Sequence, residues 1–313
     1  MANHQAYKKW CKTLLKTLCI GTCLATLFTP QIKAQASEDL RIVTSFYPIY
    51  AMTQEIVGGV HDVRVINSAN GIHGFEPSAN DVAAIYNADI FIYHSDILES
   101  WTKGLDANRG NSNVQMLEAT EGLELMRVEG LEEVETIEGM NQESLMDPHS
   151  WLDPLEAARE AENIAHSLAK IDPQNAQGYL QRAKAFKDRA ETLNDKYQAI
   201  FKKAKHKTFV TQHTAFSYLA YRYGLQQLGI SGVSSDIEPT SRKVAEIQKF
   251  VIKYQVPVIF VEPNVSDKAA RVIADATGVD IVELSPLEGD PGNTRTYLDN
   301  LEQTLKILSQ YLQ

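Results

Sequence analysis

The stretch from Gln174 to Lys205 limits the possible folds more than any other. It holds one glycine, Gly178, and no proline, and its apolar residues fall at Ala176, Tyr179, Leu180, Ala183, Phe186, Ala190, Leu193, Tyr197, Ile200, Phe201 and Ala204. Steps of mostly three and four place these along one face of an α-helix. Asp172-Pro173, just ahead, reads as an acidic N-cap followed by proline at the first helical position. At 1.5 Å per residue the pattern makes a rod of roughly 48 Å. Such a rod suits a stiff connection, and an apolar pattern of only about four heptads is short for a coiled-coil partner.

Both sides of the rod alternate between short β-rich runs and helical stretches. Before it come Arg41-Ile-Val-Thr-Ser-Phe-Tyr47, Val63-Arg-Val-Ile66 and Ile90-Phe-Ile-Tyr-His94, with a helical stretch from Ser78 to Ala88. After it come runs at residues 208–211, 225–230, 258–262 and 280–284. This alternation marks a parallel sheet covered by helices. The expected architecture is α/β: two lobes, each with a mostly parallel sheet covered by helices, joined by one long rigid helix. The expected boundaries are a signal peptide at 1–36, an N-terminal lobe at 37–172, the linking helix at 173–205 and a C-terminal lobe at 206–313.

The first tenth of the chain is different in kind. Lys8, Lys9, Lys12 and Lys16 precede a mostly apolar run from Thr17 to Phe28, and Ala34-Gln35-Ala36 offers a small-residue cleavage site, the pattern of an export signal. An apolar run of about a dozen residues is short of the ~20 that span a bilayer. Cys11, Cys19 and Cys23 all lie in this segment, so the body of the protein has no disulfides, thiolate metal sites or cysteine nucleophiles. Removing 1–36 takes five lysines and no acid, and deepens the formal charge of the 313-residue chain from −10 to −15. That balance argues against nucleic-acid partners, which need a basic field.

Three histidines sit in connections that lead into helices. His73 lies in Asn70-Gly-Ile-His-Gly-Phe-Glu-Pro-Ser78, where Ser78 can cap a helix with Asp81 three residues on. His149 lies in Asp147-Pro-His-Ser-Trp-Leu-Asp-Pro154, where Asp153-Pro154 opens the next helix, and His213 directly follows the run 208–211. Glu288, in Ser285-Pro-Leu-Glu-Gly-Asp-Pro291, follows the run 280–284. Ligands in open α/β sheets bind at such connections, outside the carboxyl ends of the strands. Two of the four belong to each lobe, so the site they form straddles the cleft. Three imidazoles and a carboxylate suit Zn²⁺ with Zn–N bonds of about 2.0–2.1 Å. The wide spacing fits none of the short zinc patterns, so spacing alone says little.

Several motifs in order sharpen this reading. At Thr44-Ser-Phe-Tyr-Pro48, Gly71-Ile-His-Gly-Phe-Glu-Pro-Ser78, Leu98-Glu-Ser-Trp101, Asp147-Pro-His-Ser-Trp-Leu-Asp-Pro154 and Thr211-Gln-His-Thr-Ala-Phe-Ser217 the sequence resembles the metal-binding lipoproteins of bacterial ABC importers, closest to the streptococcal laminin-binding, zinc-uptake branch. The resemblance covers essentially the whole chain after the signal. It implies two lobes with a metal between them, held by His73, His149, His213 and Glu288, and handover to a membrane permease driven by an ATPase. Manganese binders of that family carry glutamate at the third position and zinc binders histidine, so His213 implies Zn²⁺ over Mn²⁺. Imidazole is also the better partner for the borderline cation.

The chain departs from the family pattern in two places. Many zinc members carry a histidine-rich loop where Glu121–Asp147 here holds nine acids, one base (Arg127) and no histidine; a solvated surface loop and a cation-gathering loop both fit it. Cys23 follows Ile20-Gly21-Thr22, a poor lipid-attachment context, so a soluble periplasmic protein is expected over an anchored lipoprotein. The expected function is a monomeric, extracytoplasmic zinc-binding subunit without catalysis. The alternatives are a manganese-type subunit, a zinc-dependent adhesin binding host matrix protein, and a zinc hydrolase. The last would need an open coordination position, which Glu288 would close. His61, His166 and His206 read as surface or incidental groups; His94, at a strand end, is the one other histidine with a place near the metal as an alternative to such a role, and Glu262 fits orienting a ligand, capping a helix or an interlobe contact equally. Zinc needs neutral imidazoles, so affinity is expected to fall below about pH 6.5.

Overall fold

Strands covered on both faces are short and apolar throughout, and Ile90–Tyr93 and Val258–Val261 are buried at every position. The computed structural model describes residues 39–67, 71–127, 146–234 and 238–313 and contains two such sheets. The first pairs β1 (Ile42–Thr44), β2 (Val63–Val65), β3 (Ile90–Tyr93) and β4 (Gln115–Glu118) in the order β2-β1-β3-β4. The second pairs β5 (Thr208–Thr211), β6 (Gln226–Gly229), β7 (Val258–Val261) and β8 (Asp280–Glu283) in the order β6-β5-β7-β8. All of these pairings are parallel, with Ile42 opposite both Val63 and Ile90, and Val258 opposite Asp280. Each order reverses once, between β1 and β3 and between β5 and β7. Crevices open outside the strand ends at such reversals. The signal segment 1–36 and residues 128–145 of the acidic loop lie outside the described residues.

The helices are α1 (Tyr47–Val57), α2 (Ala79–Tyr86), α3 (Thr102–Asn108), α4 (Pro154–Ile171), α5 (Ala176–Lys202), α6 (Ser217–Tyr223), α7 (Ser241–Tyr254), α8 (Lys268–Thr277) and α9 (Tyr297–Leu312), with a 3₁₀ turn at Ser150–Leu152. Local chemistry starts several of them as the sequence implies. Ser78 and Asp81 close a capping box on α2, and the Asp153 carboxylate accepts from Leu155 N at 2.8 Å ahead of α4. The first β-run ends sooner than expected, at Thr44 rather than Tyr47. Pro48 in the first turn favours helix there, and α1 begins at Tyr47. Strand β4 escapes sequence reading because only Met116 and Leu117 are apolar on this edge strand.

The long helix runs from Ala176 to Lys202, 27 residues, or roughly 40 Å, shorter than its periodicity implies. Asp172 does not cap it. Its carboxylate is taken by three side-chain donors: Tyr179 Oη at 2.6 Å, Asn175 Nδ2 at 2.7 Å and, from far off in sequence, His61 Nε2 at 2.9 Å. Burial pushes this carboxyl up, but the three donors outweigh it and hold it at about 2. His61 is therefore a buried structural residue, 5% exposed, and not the surface group expected.

Nor is α5 a free strut. Tyr179, Ala183, Phe186, Ala190, Leu193, Tyr197 and Phe201 are all buried, and the helix packs against α4, α1 and α9. One apolar core runs through it from Phe46 and Met52 on the first sheet's side to Phe209 and Phe260 on the second's. Residues 39–313 accordingly form one compact unit. Phe186 is fully buried and stacks on Tyr297 of α9. Replacing it with alanine is expected to cost about 3–5 kcal/mol, read as a lower urea midpoint, with both halves still unfolding in one transition.

Candidate metal centre

Each candidate ligand is placed by backbone that the fold has already fixed. His73 follows β2, and the preceding Ile72 is buried in the core. His149 precedes the 3₁₀ turn whose Trp151 is wholly buried. The carbonyl of His213, at the end of β5, accepts from Thr211 Oγ1 at 2.6 Å and Gln227 Nε2 at 3.0 Å. Ahead of Glu288, Leu287 buries its side chain in the core while its backbone is left-handed, with φ of 58°, a conformation that costs a residue with a Cβ roughly 1–2 kcal/mol.

These four side chains meet. Their ligand atoms all lie within 4.8 Å of one another, so the group can hold a metal ion. The Nε2 atoms of His73 and His149 are 3.0 Å apart, and those of His149 and His213 are 3.3 Å apart. Glu288 Oε1 stands 3.1 Å from His213 Nε2, 3.4 Å from His73 Nε2 and 3.7 Å from His149 Nε2. Tetrahedral bonds of about 2.05 Å place neighbouring ligand atoms about 3.3 Å apart. The five separations scatter around that value.

A carboxylate behind two of the imidazoles explains how they are aimed. His149 Nδ1 is 2.7 Å from Asp147 Oδ1, and His213 Nδ1 bonds Glu262 Oε1. A carboxylate only accepts, so each Nδ1 carries a proton and each Nε2 is the nitrogen turned to the centre, free to ligate once any second proton has left. Electrostatics follow the same arrangement. Burial opposes charge on His213, but Glu262 and Glu288 outweigh it and lift the imidazole to about 10. His149 is likewise raised against its burial, by Asp147. His73 is lowered, chiefly by burial. Burial would raise Glu288 too, yet the surrounding imidazoles hold it well below the usual carboxylate range.

The wider surroundings contain groups the sequence did not single out. Trp151 Nε1 donates to Pro286 O at 2.9 Å, tying the His149 turn to the Glu288 loop. Tyr218 Oη accepts from Met126 N at 2.9 Å and donates to Asp147 O at 3.2 Å. Asp147 was legible only as part of the Asp-Pro-His run, and nothing in sequence pairs Trp151 or Tyr218 with the site. His94 does not touch the four ligands. Its Nε2 is 3.0 Å from Ser150 Oγ, which donates to Glu160 Oε1 at 2.6 Å, one residue from His149. Glu99 accepts from the backbone of His94 at 2.8 Å and Ser95 at 2.9 Å, and burial lifts it to about 7.

Two parallel-sheet halves with a nitrogen-rich cluster between them define a metal-binding protein of the solute-capturing kind. Residues 42–311 match the family described as ZnuA, zinc-uptake complex component A, periplasmic, and the chain belongs to that family. It is 35% identical over 289 residues to the zinc-binding protein AdcA of Streptococcus pyogenes, covering 89% of this chain but 56% of AdcA, so it spans little more than half of that relative. Among solved structures it is similar to the laminin-binding protein Lmb of Streptococcus agalactiae, described as bifunctional with adhesin and metal-transporting activity. The identity is 51% and the TM-score 0.80, over 87% of this chain and 99% of Lmb. It is also similar to a zinc(II)-bound mutant variant of AdcAII from Streptococcus pneumoniae, at 52% identity and TM-score 0.82, over 88% and 99% of the two chains.

Replacing Glu262 with glutamine keeps its shape and removes its charge from behind His213. Loss of such a partner is expected to weaken metal binding about 10–100-fold, measured by competition titration, with the circular dichroism spectrum unchanged.

Proposed function

We propose that this chain is the extracytoplasmic zinc-binding subunit of an ABC importer, which captures Zn²⁺ on His73, His149, His213 and Glu288 and delivers it to a membrane permease and its ATPase. The observation that carries the reading is the convergence of three Nε2 atoms and one carboxylate oxygen at near-tetrahedral spacing. The nitrogen-rich donor set favours Zn²⁺ over the harder Mn²⁺. With Glu288 as fourth ligand the sphere is closed, as in a site that holds its cargo rather than one that activates water. The relatives are zinc-binding and transport proteins, which favours a role without catalysis. Among the described residues no helix is long and apolar enough to cross a membrane. The export pattern and the family's periplasmic description support work outside the cytoplasm. Lmb's adhesin activity gives a second reading, binding of a host matrix protein, and a solid-phase assay with metal-loaded and metal-free protein tests it.

His213→Ala is expected to weaken zinc by more than the ~100-fold that bounds loss of an outer hydrogen-bond partner, while His61→Ala lowers stability and leaves zinc affinity near wild type. Equal affinities of the two variants in competition titrations would remove His213 from the site. Since histidine-to-alanine and histidine-to-leucine variants of AdcAII are zinc-bound, weakening rather than abolition is the expected outcome.

The pH window follows from the raised imidazoles. In the metal-free protein His213 is held near 10, so it is protonated at neutral pH and zinc must displace that proton; His149 is raised in the same direction by Asp147. Affinity therefore keeps rising with pH above the ordinary histidine range near 6.5, by up to about tenfold per unit for each proton displaced. Titrations at about pH 6, 7 and 8 check this, and a plateau from 7 upward contradicts it.

A further inference from the structure

Of the four clustered side chains, His149 and His213 are cut off from solvent, while His73 keeps 10% of its surface and Glu288 keeps 7%. A cation from solution therefore reaches the cluster past Glu288 and the His73 loop. A cavity of about 560 Å³ opens there, bounded on one side by Gly71 and Glu288 and on the others by the loops after β7 and β8. Among the described residues four carboxylates line it, Glu262, Glu283, Glu288 and Asp290, and no lysine, arginine or histidine does. Glu262 and Glu288 are committed to the imidazoles. Glu283 and Asp290 are exposed and, among the described residues, pair with no basic side chain.

Two further observations separate this cavity from an ordinary acidic surface. Glu288 is 6% exposed, and its Oε1 is turned to the three imidazole nitrogens, nearest His213 Nε2 at 3.1 Å. Its Oε2 faces the cavity side, where a Cβ on Gly71 would stand 3.2 Å from it. One carboxylate thus touches both the cluster and the cavity. The walls are also fixed in shape: Pro263, Pro286 and Pro291 line them, and Trp151 pins the Pro286 carbonyl. Fixed carboxylates in a concave wall focus a field and raise the local concentration of a counter-ion.

We propose that this cavity is the vestibule through which a divalent cation approaches and leaves the centre. Glu283 and Asp290 draw the hydrated ion in, and Glu288 passes it from the cavity to the imidazoles. The proposal rests on the zinc reading above but concerns rate rather than ligation. Glu283 and Asp290 touch none of the imidazoles, so neutralising them slows association and leaves the bound geometry intact.

The test is stopped-flow mixing of metal-free protein with Zn²⁺ alone, followed through the fluorescence of Trp151, whose ring lies 5.1 Å from that of His149. At low ionic strength the double variant Glu283→Gln, Asp290→Asn is expected to associate about 3–10-fold more slowly than wild type. At about 0.5 M salt, where charges are screened within a few ångströms, the gap closes. Stoichiometry and dissociation rate stay unchanged. A second double variant, Glu191→Gln with Asp195→Asn on α5, removes the same charge away from the cavity and is expected to match wild type. Equal association rates for the two double variants overturn the vestibule while leaving the zinc site standing. A wild-type protein that takes up no zinc overturns both.

Discussion

A carboxylate and three imidazoles can be kept out of water together only if the backbone that carries them cannot relax. Separately, each would turn toward solvent, since burying an unpaired polar group costs several kcal/mol. Here three come from the loops after β2, β5 and β8, in two different sheets, and His149 from the turn ahead of α4. The halves are held by a single core that passes through α5, in which Phe186, Tyr197 and Phe201 are buried against residues of both. That shared core lets the loops after β2 and β5 face each other, with the His73 and His213 rings 5.5 Å apart. Everything else about the centre, including the aiming of its nitrogens, depends on it.

The outer partners show how the arrangement resists collapse. Asp147 and Glu262 fix two imidazoles from behind, while the Trp151 indole reaches Pro286 and the Tyr297 hydroxyl donates to the Trp151 carbonyl. The last contact brings α9 into the support of His149. The His94, Ser150 and Glu160 chain adds a buried polar layer directly behind the same turn. The first half of the molecule thus holds its imidazole through several independent contacts, and the second half holds His213 through its carbonyl and Nδ1.

How much was legible in sequence varies with the range of the interaction that decides each feature. Helix starts set by neighbours, such as Ser78 with Asp81 or Asp153 with Pro154, could be read directly. The candidate ligands could be placed because strand ends point to one edge of a parallel sheet. Asp172 misled, since its local signal as an N-cap was overridden by donors from His61 and Tyr179, the first of them 111 residues away. For the same reason His61 passed for a surface residue. Strand β4 failed for lack of apolar contrast on an edge. The Trp151 and Tyr218 bridges span 135 and 71 residues and leave no local trace at all.

The packing of α9 bears on how such a chain comes to be folded. Asn300 on this helix donates to the Tyr47 hydroxyl, 253 residues earlier, and Leu301, Leu305, Leu308 and Leu312 complete the core that begins at α1. Helix α1 also packs on α4 and α5, so what waits for α9 is the last part of its cover. Contacts of such long separation also form slowly. The core of residues 39–313 is thus closed by its two sequence extremes meeting, Tyr47 of α1 with Asn300 of α9.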